Sequence, residues 1–272
     1  QSTLSQQIKT LEEEFGTKLF IRNSHSVVLT ESGAELLPFA RKTVGNAEEC
    51  RQRMIDLQEM LVGELNIGVT YSFSPILTET IFTFMKKYKG VKLNISYKPM
   101  ADLMEMLRRN EIDFVLAFKP SVPVAGIESH VLFQNYLAAI VGDSHPLASK
   151  ERVSLDELAG YNLVLPSKGL QARNALDKIL ERYPRDFDIR MELNDPNILL
   201  DLIRHSKLVT VLAETSVLNQ QGVKAIPIDV LENEMIGCVH TLVGTYHKKS
   251  TCEFVKLLRE SIAVKERANA WL

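Results

Sequence analysis

The stretch Leu65-Asn-Ile-Gly-Val-Thr-Tyr-Ser-Phe-Ser-Pro75 joins a short apolar run to a cluster of hydroxyl side chains and a Ser-Pro pair. The run Leu65–Val69 has the length and composition of a buried strand. Ser74 followed by Pro75 is typical of the first turn of a helix, because a proline there loses no backbone hydrogen bond. The stretch therefore predicts a strand that leads through a hydroxyl-rich loop into a helix.

This strand and helix open a pattern that occurs twice along the chain. The first copy predicts strand, helix, strand, helix and strand in turn, at 65–69, 74–88, 92–97, 101–109 and 113–118. The same order returns about 97 residues later, at 162–165, 170–183, 187–193, 196–206 and 208–212. Strands that alternate with helices are typical of parallel sheets. The predicted fold class is therefore α/β, with a domain of two similar α/β lobes.

The segments between the two copies are expected to cross from one lobe to the other. Leu137–Val141 leaves the first lobe, and Cys238–Gly244 returns to it before a final helix at about 251–267. Two crossing strands make a hinge, and the cleft between two lobes is the usual place for a small ligand. In parallel α/β sheets that ligand binds beyond the carboxyl ends of the strands.

The residues that follow these strand ends are the candidates for contact with a ligand. Free N–H groups at a helix N-terminus favour an anion there. The hydroxyls would equally serve as helix caps, Asn194 reads first as a helix cap, and Lys168 would equally be a solvated surface cation. The candidates are Thr70, Tyr71, Ser72, Phe73, Met100, Phe118, Ser167, Lys168 and Asn194.

The residues before this domain predict a helix, a hairpin and a second, longer helix. The first helix stops at Gly16, and two apolar runs within Thr17–Leu29 surround the polar tip 23–26. Thr30 is a suitable N-cap for the long helix, which is expected to continue to about Leu61 and to end at Gly63. The two short apolar runs around a polar tip read as a small hairpin, or wing.

The long helix carries a heptad-like seam with two polar interruptions, at Leu37, Ala40, Val44, Ala47, Arg51, Met54, Gln58 and Leu61. About 30 helical residues span roughly 45 Å, more than one small domain can cover. We expect the seam to pair with a second copy of the chain. Packing on a neighbouring element of the same chain is the alternative.

Four stretches of the chain match the motifs of one family, the LysR-type transcriptional regulators. Residues 1–12 are similar to the end of its helix-turn-helix, Gly16-Thr-Lys-Leu-Phe-Ile-Arg22 to its G-x-x-L-F-x-R element, and Leu29-Thr-Glu-Ser-Gly33 to its L-T-x-x-G element. Residues 107–113 resemble its L-x-x-G-x-L-D element, with Asn110 in place of glycine and in the same left-handed conformation. The resemblance extends along the whole chain, more loosely after residue 63.

The resemblance implies a winged helix-turn-helix, a dimerising linker helix and an effector domain like that of periplasmic binding proteins. It further implies promoter DNA, a small-molecule effector and RNA polymerase as partners, a homodimer or homotetramer, a cytoplasmic location, and neither an enzymatic activity nor a cofactor. The corresponding boundaries are 1–30, 31–62, 63–139 with 238–272, and 140–237. Two further family helices would precede Gln1, so the chain is expected to begin inside the DNA-binding domain.

The residues that the resemblance places on DNA are Gln1, Ser2, Thr3, Ser5, Gln6, Lys9 and Arg22. Amides and hydroxyls suit base edges and phosphates, although a solvated helix face would look the same. Arg22 would reach a phosphate from the wing or pair with Glu31. Two departures from the family affect the effector domain: Pro99 and Met100 replace small hydroxyl residues, and Ser206-Lys-Leu208 replaces a G-x-G turn.

Charge and motif content bear on the competing functions. The first 62 residues hold seven cations and nine acids, a net of −2, so charge alone does not indicate nucleic acid. No apolar run approaches the roughly 18 residues of a membrane span. The three cysteines and six histidines show no metal-ligand spacing, and no nucleophile elbow, P-loop or dinucleotide fingerprint occurs. A solute-binding receptor with the same two-lobed fold remains the main alternative, and a catalytic domain is a third.

Overall fold

The computed structural model describes residues 2–23, 26–57 and 61–269, and the chain divides into two compact units, 1–58 and 59–272. The four-part division expected from sequence is finer than this and stays a prediction. Unit 1 contains helix α1 (Ser2–Phe15), strands β1 (Phe20–Asn23) and β2 (Ser26–Leu29), and helix α2 (Glu31–Leu57).

The elements expected in unit 1 are all present. Gly16 has a φ of 65°, the left-handed conformation predicted for the residue that ends α1. β1 and β2 pair antiparallel, with Phe20 opposite Leu29, and so form the predicted hairpin. Ser24 and His25 of its tip lie outside the described residues.

The turn between α1 and the hairpin is organised by one carboxylate. Glu12 is only 8% exposed and accepts hydrogen bonds from the backbone N–H groups of Leu19 (2.9 Å) and Phe20 (3.2 Å). The Lys18 ammonium donates to the same carboxylate at 2.9 Å. The bonds from Lys18 and from Leu19 lower the pKa of Glu12 to about 2. The carboxylate thus replaces the partners that these two backbone donors lose at the turn.

The start of α2 shows why threonine and glycine occur at positions 30 and 33. The Thr30 hydroxyl accepts from the Gly33 N–H at 3.0 Å, as an N-cap does, and donates to the Lys18 carbonyl. A Cβ on Gly33 would lie 2.1 Å from the carbonyl oxygen of Leu19. Only glycine therefore lets α2 approach the chain before the hairpin this closely.

Helix α2 is shorter than the seam predicts. Its described part extends to Leu57, residues 58–60 with the seam position Gln58 lie outside the described residues, Leu61 is not helical, and a strand begins at Val62. The expectation of a helix to Leu61 that stops at Gly63 is therefore wrong, since Gly63 belongs to that strand. Within the helix, Val44 and Met54 of the seam are 70% and 58% exposed.

Unit 2 contains the two predicted copies of the strand–helix pattern. The first copy is β3 (Val62–Val69), α3 (Ser74–Lys87), β4 (Gly90–Tyr97), α4 (Met100–Arg108) and β5 (Phe114–Phe118). It is followed by β6 (Ile127–Gly142) and the short α5 (Leu155–Leu158). The second copy is β7 (Asn162–Pro166), α6 (Gln171–Arg182), β8 (Asp188–Leu193), α7 (Pro196–Arg204) and β9 (Thr210–Ala213). The chain then forms β10 (Val223–Pro227), β11 (Glu234–Leu242), α8 (Lys249–Glu260) and α9 (Ile262–Asn269).

The two copies have the same strand order. In the first, β3 lies between β4 and β5 and is parallel to both. In the second, β7 pairs in parallel with β8 and bridges in parallel to Val209, just before β9. Each first strand is therefore central, and the carboxyl ends of its neighbours meet at one edge, as predicted for two similar α/β lobes.

Strand β6 connects the two lobes. Its first part pairs with β11 up to Tyr136, and its last part pairs with β9 and β10. Leu137–Val141, the predicted crossing segment, lies in this strand and is fully buried. The return crossing is β11, which starts four residues earlier than expected.

Two further details differ from the sequence prediction, and one confirms it. The final helix is two helices, because Ser261 takes an extended conformation between α8 and α9. Strand β10 and the first half of β6 were not predicted. Asn110 has a φ of 56°, which confirms the left-handed conformation expected at that position.

The Glu12 carboxylate gives unit 1 a defined response to pH. Because its folded pKa lies near 2, below the usual value of about 4.3, its stabilising effect is complete above about pH 4.3 and is lost as the pH falls towards 2. We expect the amide NMR signals of Leu19 and Phe20 to keep their neutral-pH positions down to about pH 4 and to shift only below it.

Two matched variants test this assignment. Glu12→Gln should displace both amide signals already at neutral pH, because a neutral amide accepts more weakly than a carboxylate. Glu13→Gln, which removes only an exposed ion pair with Lys9, should leave them in place. Equal effects of the two substitutions would contradict the role given to Glu12.

Candidate functional site

A cavity of about 610 Å³ lies in unit 2 between the two lobes, beyond the carboxyl ends of β3, β4, β7 and β8. We call it the inter-lobe cavity. Most of its polar lining residues carry hydroxyl, amide or phenol groups, namely Thr70, Tyr71, Ser72, Ser74, Tyr97, Gln171, Asn194, Asn197 and Gln220. One cation, Lys98, also lines it, and the apolar part of the wall includes Met100, Leu170, Leu193, Leu199 and Leu212.

The loop after β3 is held rigidly at the rim of this cavity. The backbone N–H of Thr70 donates to the carbonyl of Leu116 at 3.0 Å, which keeps the loop on β5. The Ser72 hydroxyl accepts a hydrogen bond of 2.9 Å from Ser216 in the segment after β9. Its own proton stays available for a ligand. The site therefore presents hydroxyls whose positions are already fixed in the free protein.

Five of the nine ligand candidates line the cavity: Thr70, Tyr71, Ser72, Met100 and Asn194. The structure places the other four elsewhere. Phe73 is fully buried, with its ring centroid 5.1 Å from that of Phe118 and 5.4 Å from that of Phe133. Phe118 lines a different cavity, and neither Ser167 nor Lys168 lines the inter-lobe cavity. Whether any of the nine binds a ligand stays a prediction.

Several lining residues were not among the candidates. Lys98 directly follows β4 at the same edge as the predicted residues, and the end of that strand was the available clue. Gln171, Asn197 and Gln220 contribute side-chain amides. The cation expected at this site was Lys168, but the structure places Lys98 there instead.

Gln171 joins the two lobes directly. Its side-chain amide donates to the backbone carbonyl of Phe118 at 2.9 Å and accepts from the Phe118 N–H at 3.2 Å. The amide nitrogen also lies 3.0 Å from the Met100 sulfur. Gln171 is the first residue of α6 in the second lobe, whereas Phe118 ends β5 in the first. This pair of bonds fixes the separation of the lobes at one end of the cavity.

Arg173, in the first turn of the same helix, connects the elements on the second-lobe side of the cavity. Its guanidinium is 5% exposed and donates to the Pro166 carbonyl at 3.1 Å, where β7 ends. It also pairs with Glu192 of β8 at 2.7 Å and with Asp177 of α6 at 2.8 Å. One buried cation thus ties α6 to the ends of two neighbouring strands.

The phenol of Tyr71 stays neutral at the cavity wall. Burial, and then the nearby Asp195 carboxylate, raise the pKa of Tyr71 above its usual value. A neutral phenol both donates and accepts hydrogen bonds. Tyr71 is therefore suited to a hydroxyl or carbonyl group on a ligand.

The candidate DNA-contacting residues lie on α1 and β1 of unit 1. Thr3, Ser5, Gln6 and Lys9 of α1 are exposed, and Lys9 forms an i,i+4 ion pair with Glu13 at 3.6 Å. Arg22 is exposed on β1, and no ion pair with Glu31 is found among the described residues. Gln1 lies outside the described residues, and the Ser2 side chain is not described. Whether any of these residues contacts DNA stays a prediction.

Cys238 and His240 are buried, whereas Cys50 and Cys252 are exposed. Burial raises the pKa of the Cys238 thiol to about 11, which disfavours the reactive thiolate. His240 is fully buried between the Ser129 hydroxyl at 2.9 Å and the Ala117 carbonyl at 3.2 Å, as expected for a core histidine. Among the described residues, no group of His, Cys, Asp or Glu side chains is arranged to hold a metal. In the same part of the chain, no helix combines the length and hydropathy needed to cross a membrane.

Two family descriptions match the chain and together cover almost all of it. Residues 58–262 match the LysR substrate binding domain. Residues 1–34 match the bacterial regulatory helix-turn-helix of the lysR family. The chain belongs to the LysR family of transcriptional regulators. This excludes the alternative of a solute-binding receptor. A receptor would share the two-lobed fold but would lack the helix-turn-helix that residues 1–34 match.

A curated transcriptional regulator and two solved structures are similar to the chain. The RuBisCO operon transcriptional regulator of Allochromatium vinosum is 29% identical over 178 residues, which are 65% of this chain and 59% of that protein. The chain therefore spans less than two thirds of this relative's length. Full-length OxyR from Pseudomonas aeruginosa superposes with a TM-score of 0.74 at 20% identity, over 98% of this chain and 87% of that one.

A second LysR structure includes a ligand. The CcmR regulatory domain of Synechocystis, solved in complex with 2-PG, has a TM-score of 0.66 at 20% identity and covers 75% of this chain and 98% of its own. At this identity the similarity shows the shared fold of two α/β lobes. The relatives are described as regulators rather than as enzymes.

The role given to Arg173 can be tested by comparing two arginines of the same lobe. Arg173→Met should lower the free energy of unfolding by about 1–3 kcal/mol, because it removes hydrogen bonds at a buried site. Arg185→Met, which removes an exposed ion pair with Asp156, should cost about 0–1 kcal/mol. Urea unfolding of the 1–272 chain measures both, and an equal loss in the two variants would contradict the role of Arg173.

Proposed function

We propose that this LysR protein regulates transcription in response to a small organic acid that binds in the inter-lobe cavity. The single observation that carries the proposal is the convergence of hydroxyl and amide groups from both lobes on this cavity. A ligand that contacts both lobes binds one lobe separation better than another. That difference in affinity is what allows a ligand to shift a conformational equilibrium.

The lining defines the chemistry of the ligand. Lys98 supplies one positive charge, which suits a single carboxylate or a phosphate group. Ser72, Tyr71 and the side-chain amides offer both donors and acceptors, which suit hydroxyl groups on the same molecule. The apolar wall limits the size of the ligand's carbon skeleton. The complex of the CcmR domain with 2-PG is consistent with a small ligand in this fold.

A matched pair of tryptophan variants tests the cavity. Asn197 lines it at the start of α7, whereas the next residue, Ile198, is 56% exposed and does not line it. We expect some members of a library of small organic acids to raise the melting temperature of the 1–272 chain. A ligand at 100 times its Kd stabilises a protein by about 2.7 kcal/mol.

Asn197→Trp should abolish this stabilisation by filling the cavity, and Ile198→Trp should retain it. The proposal fails if no acid in the library stabilises the chain. It also fails if both variants respond as the unmodified chain does.

The DNA-binding part of the proposal concerns unit 1. We infer that α1 enters the major groove and that Arg22 of the wing reaches the phosphate backbone. The exposed side chains of Thr3, Ser5, Gln6 and Lys9 support this, and the same proposal includes Gln1 and Ser2. Because promoter DNA lies in the bacterial cytoplasm, the same proposal locates the protein there. RNA polymerase is its expected partner in transcription.

The proposed assembly is a dimer through α2, from which a tetramer would form by further pairing. Its support is the seam, on which Val44 and Met54 leave most of their apolar surface exposed. Exposed apolar side chains at heptad-like spacing are typical of a helix that pairs with another helix.

Sedimentation velocity tests this pairing. The 1–272 chain should sediment as a dimer or larger, and Val44→Asp should shift it towards the monomer, because a carboxylate would be buried at the helix interface. Thr43→Asp introduces the same charge at the neighbouring exposed position outside the seam and should leave the assembly unchanged. A monomeric unmodified chain, or a Val44→Asp variant that remains assembled, would contradict the seam.

A further inference from the structure

A second cavity of about 520 Å³ lies against the strands that connect the lobes. We call it the hinge groove. Its floor is apolar and includes Leu137 of β6, Ile179 of α6 and Met235 of β11, each no more than 7% exposed. Its two sides belong to different lobes: the residues just after β5 form one, and α6 forms the other. An apolar floor of this size can cover the carbon skeleton of a small molecule.

Charged side chains surround this apolar floor. Lys119 follows β5 in the first lobe, and Lys178 lies on α6 in the second. In the described part of the chain, neither lysine forms an ion pair. Arg182, one turn after Lys178, is paired with Glu232, whose backbone has a φ of 62°.

The charges of the hinge groove do not cancel. The ion pair between Arg182 and Glu232 is neutral as a unit. This leaves Lys119 and Lys178 with one further acidic neighbour, Glu234. The remaining balance is one positive charge, divided between two lysines from opposite lobes. An anion placed between them would relieve the repulsion of the two ammonium groups.

The hinge groove is separated from the inter-lobe cavity by the bridge between Gln171 and Phe118. Gln171 and Met100 line both cavities, and the amide of Gln171 bonds to the Phe118 backbone between them. The two cavities have no other lining residue in common. A ligand in one of them therefore need not occupy the other.

We propose that the hinge groove is a second ligand site, which takes a small organic carboxylate with an apolar body. The carboxylate binds between Lys119 and Lys178, and the apolar body covers Leu137, Ile179 and Met235. Because the two lysines belong to different lobes, this ligand joins the lobes at the hinge. The site is separate from the inter-lobe cavity, with which it shares only Gln171 and Met100.

The test compares two probes of nearly the same shape, of which only one is charged. Cyclohexanecarboxylate and its neutral amide, cyclohexanecarboxamide, are titrated into the 1–272 chain and observed by saturation-transfer NMR. The carboxylate should bind saturably and at least about tenfold more tightly than the amide, a factor that corresponds to about 1.4 kcal/mol. Absence of saturable carboxylate binding, or equal binding of the two probes, would overturn the proposal.

Variants then locate the bound probe. The double variant Lys119→Gln, Lys178→Gln should remove the preference for the carboxylate, and both substitutions are at exposed positions where folding is not at risk. Two control variants should bind the carboxylate like the unmodified chain. They are Lys168→Gln, at a position that lines neither cavity, and Asn197→Trp, whose larger side chain fills the inter-lobe cavity. Loss of binding in Asn197→Trp or Lys98→Gln but not in the double variant would place the probe in the inter-lobe cavity and overturn the proposal.

Discussion

Strand β6 belongs to both lobes, and the positions of the two cavities depend on this one shared strand. Its sixteen residues pair with β11 in the first lobe and with β9 and β10 in the second. In each lobe, the carboxyl ends of the parallel strands therefore face the other lobe. The Asn233 side chain reinforces the crossing by binding both the N–H and the carbonyl of Leu137, at 3.0 and 2.8 Å. The hydrogen bonds of the Gln171 side chain to Phe118 connect α6 to β5. The inter-lobe cavity and the hinge groove lie on either side of this bridge.

The motifs of the DNA-binding region have a physical explanation in this structure. Glu12 supplies the acceptors that the backbone of Leu19 and Phe20 would otherwise lack, and Thr30 caps the helix that follows. Gly33 is required because its α-carbon approaches the Leu19 carbonyl too closely for any side chain. A carboxylate, a hydroxyl and a glycine therefore define one close contact between a helix, a hairpin and a second helix.

The sequence predicts the repeated strands and helices well, because each has a clear periodicity and a proline, glycine or polar residue at its ends. It fails where one apolar pattern continues into the next element. The seam predicts a helix to Leu61, whereas Leu61 lies outside α2 and the next residue, Val62, begins β3. At the site, strand ends identify the right edge of the sheets but not the direction of each side chain. Phe73 was therefore predicted at the site, although its side chain is buried in the core. Gln171 was not predicted, because nothing in the sequence distinguishes an amide that bridges two lobes from one exposed to solvent.

The bridge between Gln171 and Phe118 is weak enough for a ligand to control. Both of its hydrogen bonds join neutral groups, and each contributes about 0.5–1.5 kcal/mol. A ligand that prefers one lobe separation by a factor of about 100 supplies roughly 2.7 kcal/mol. This is comparable to the whole bridge, so a modest difference in affinity is sufficient to break or to retain it. A buried ion pair in the same place would cost several kcal/mol to disrupt. A neutral amide between two cavities is therefore well suited to a hinge that must respond to small molecules.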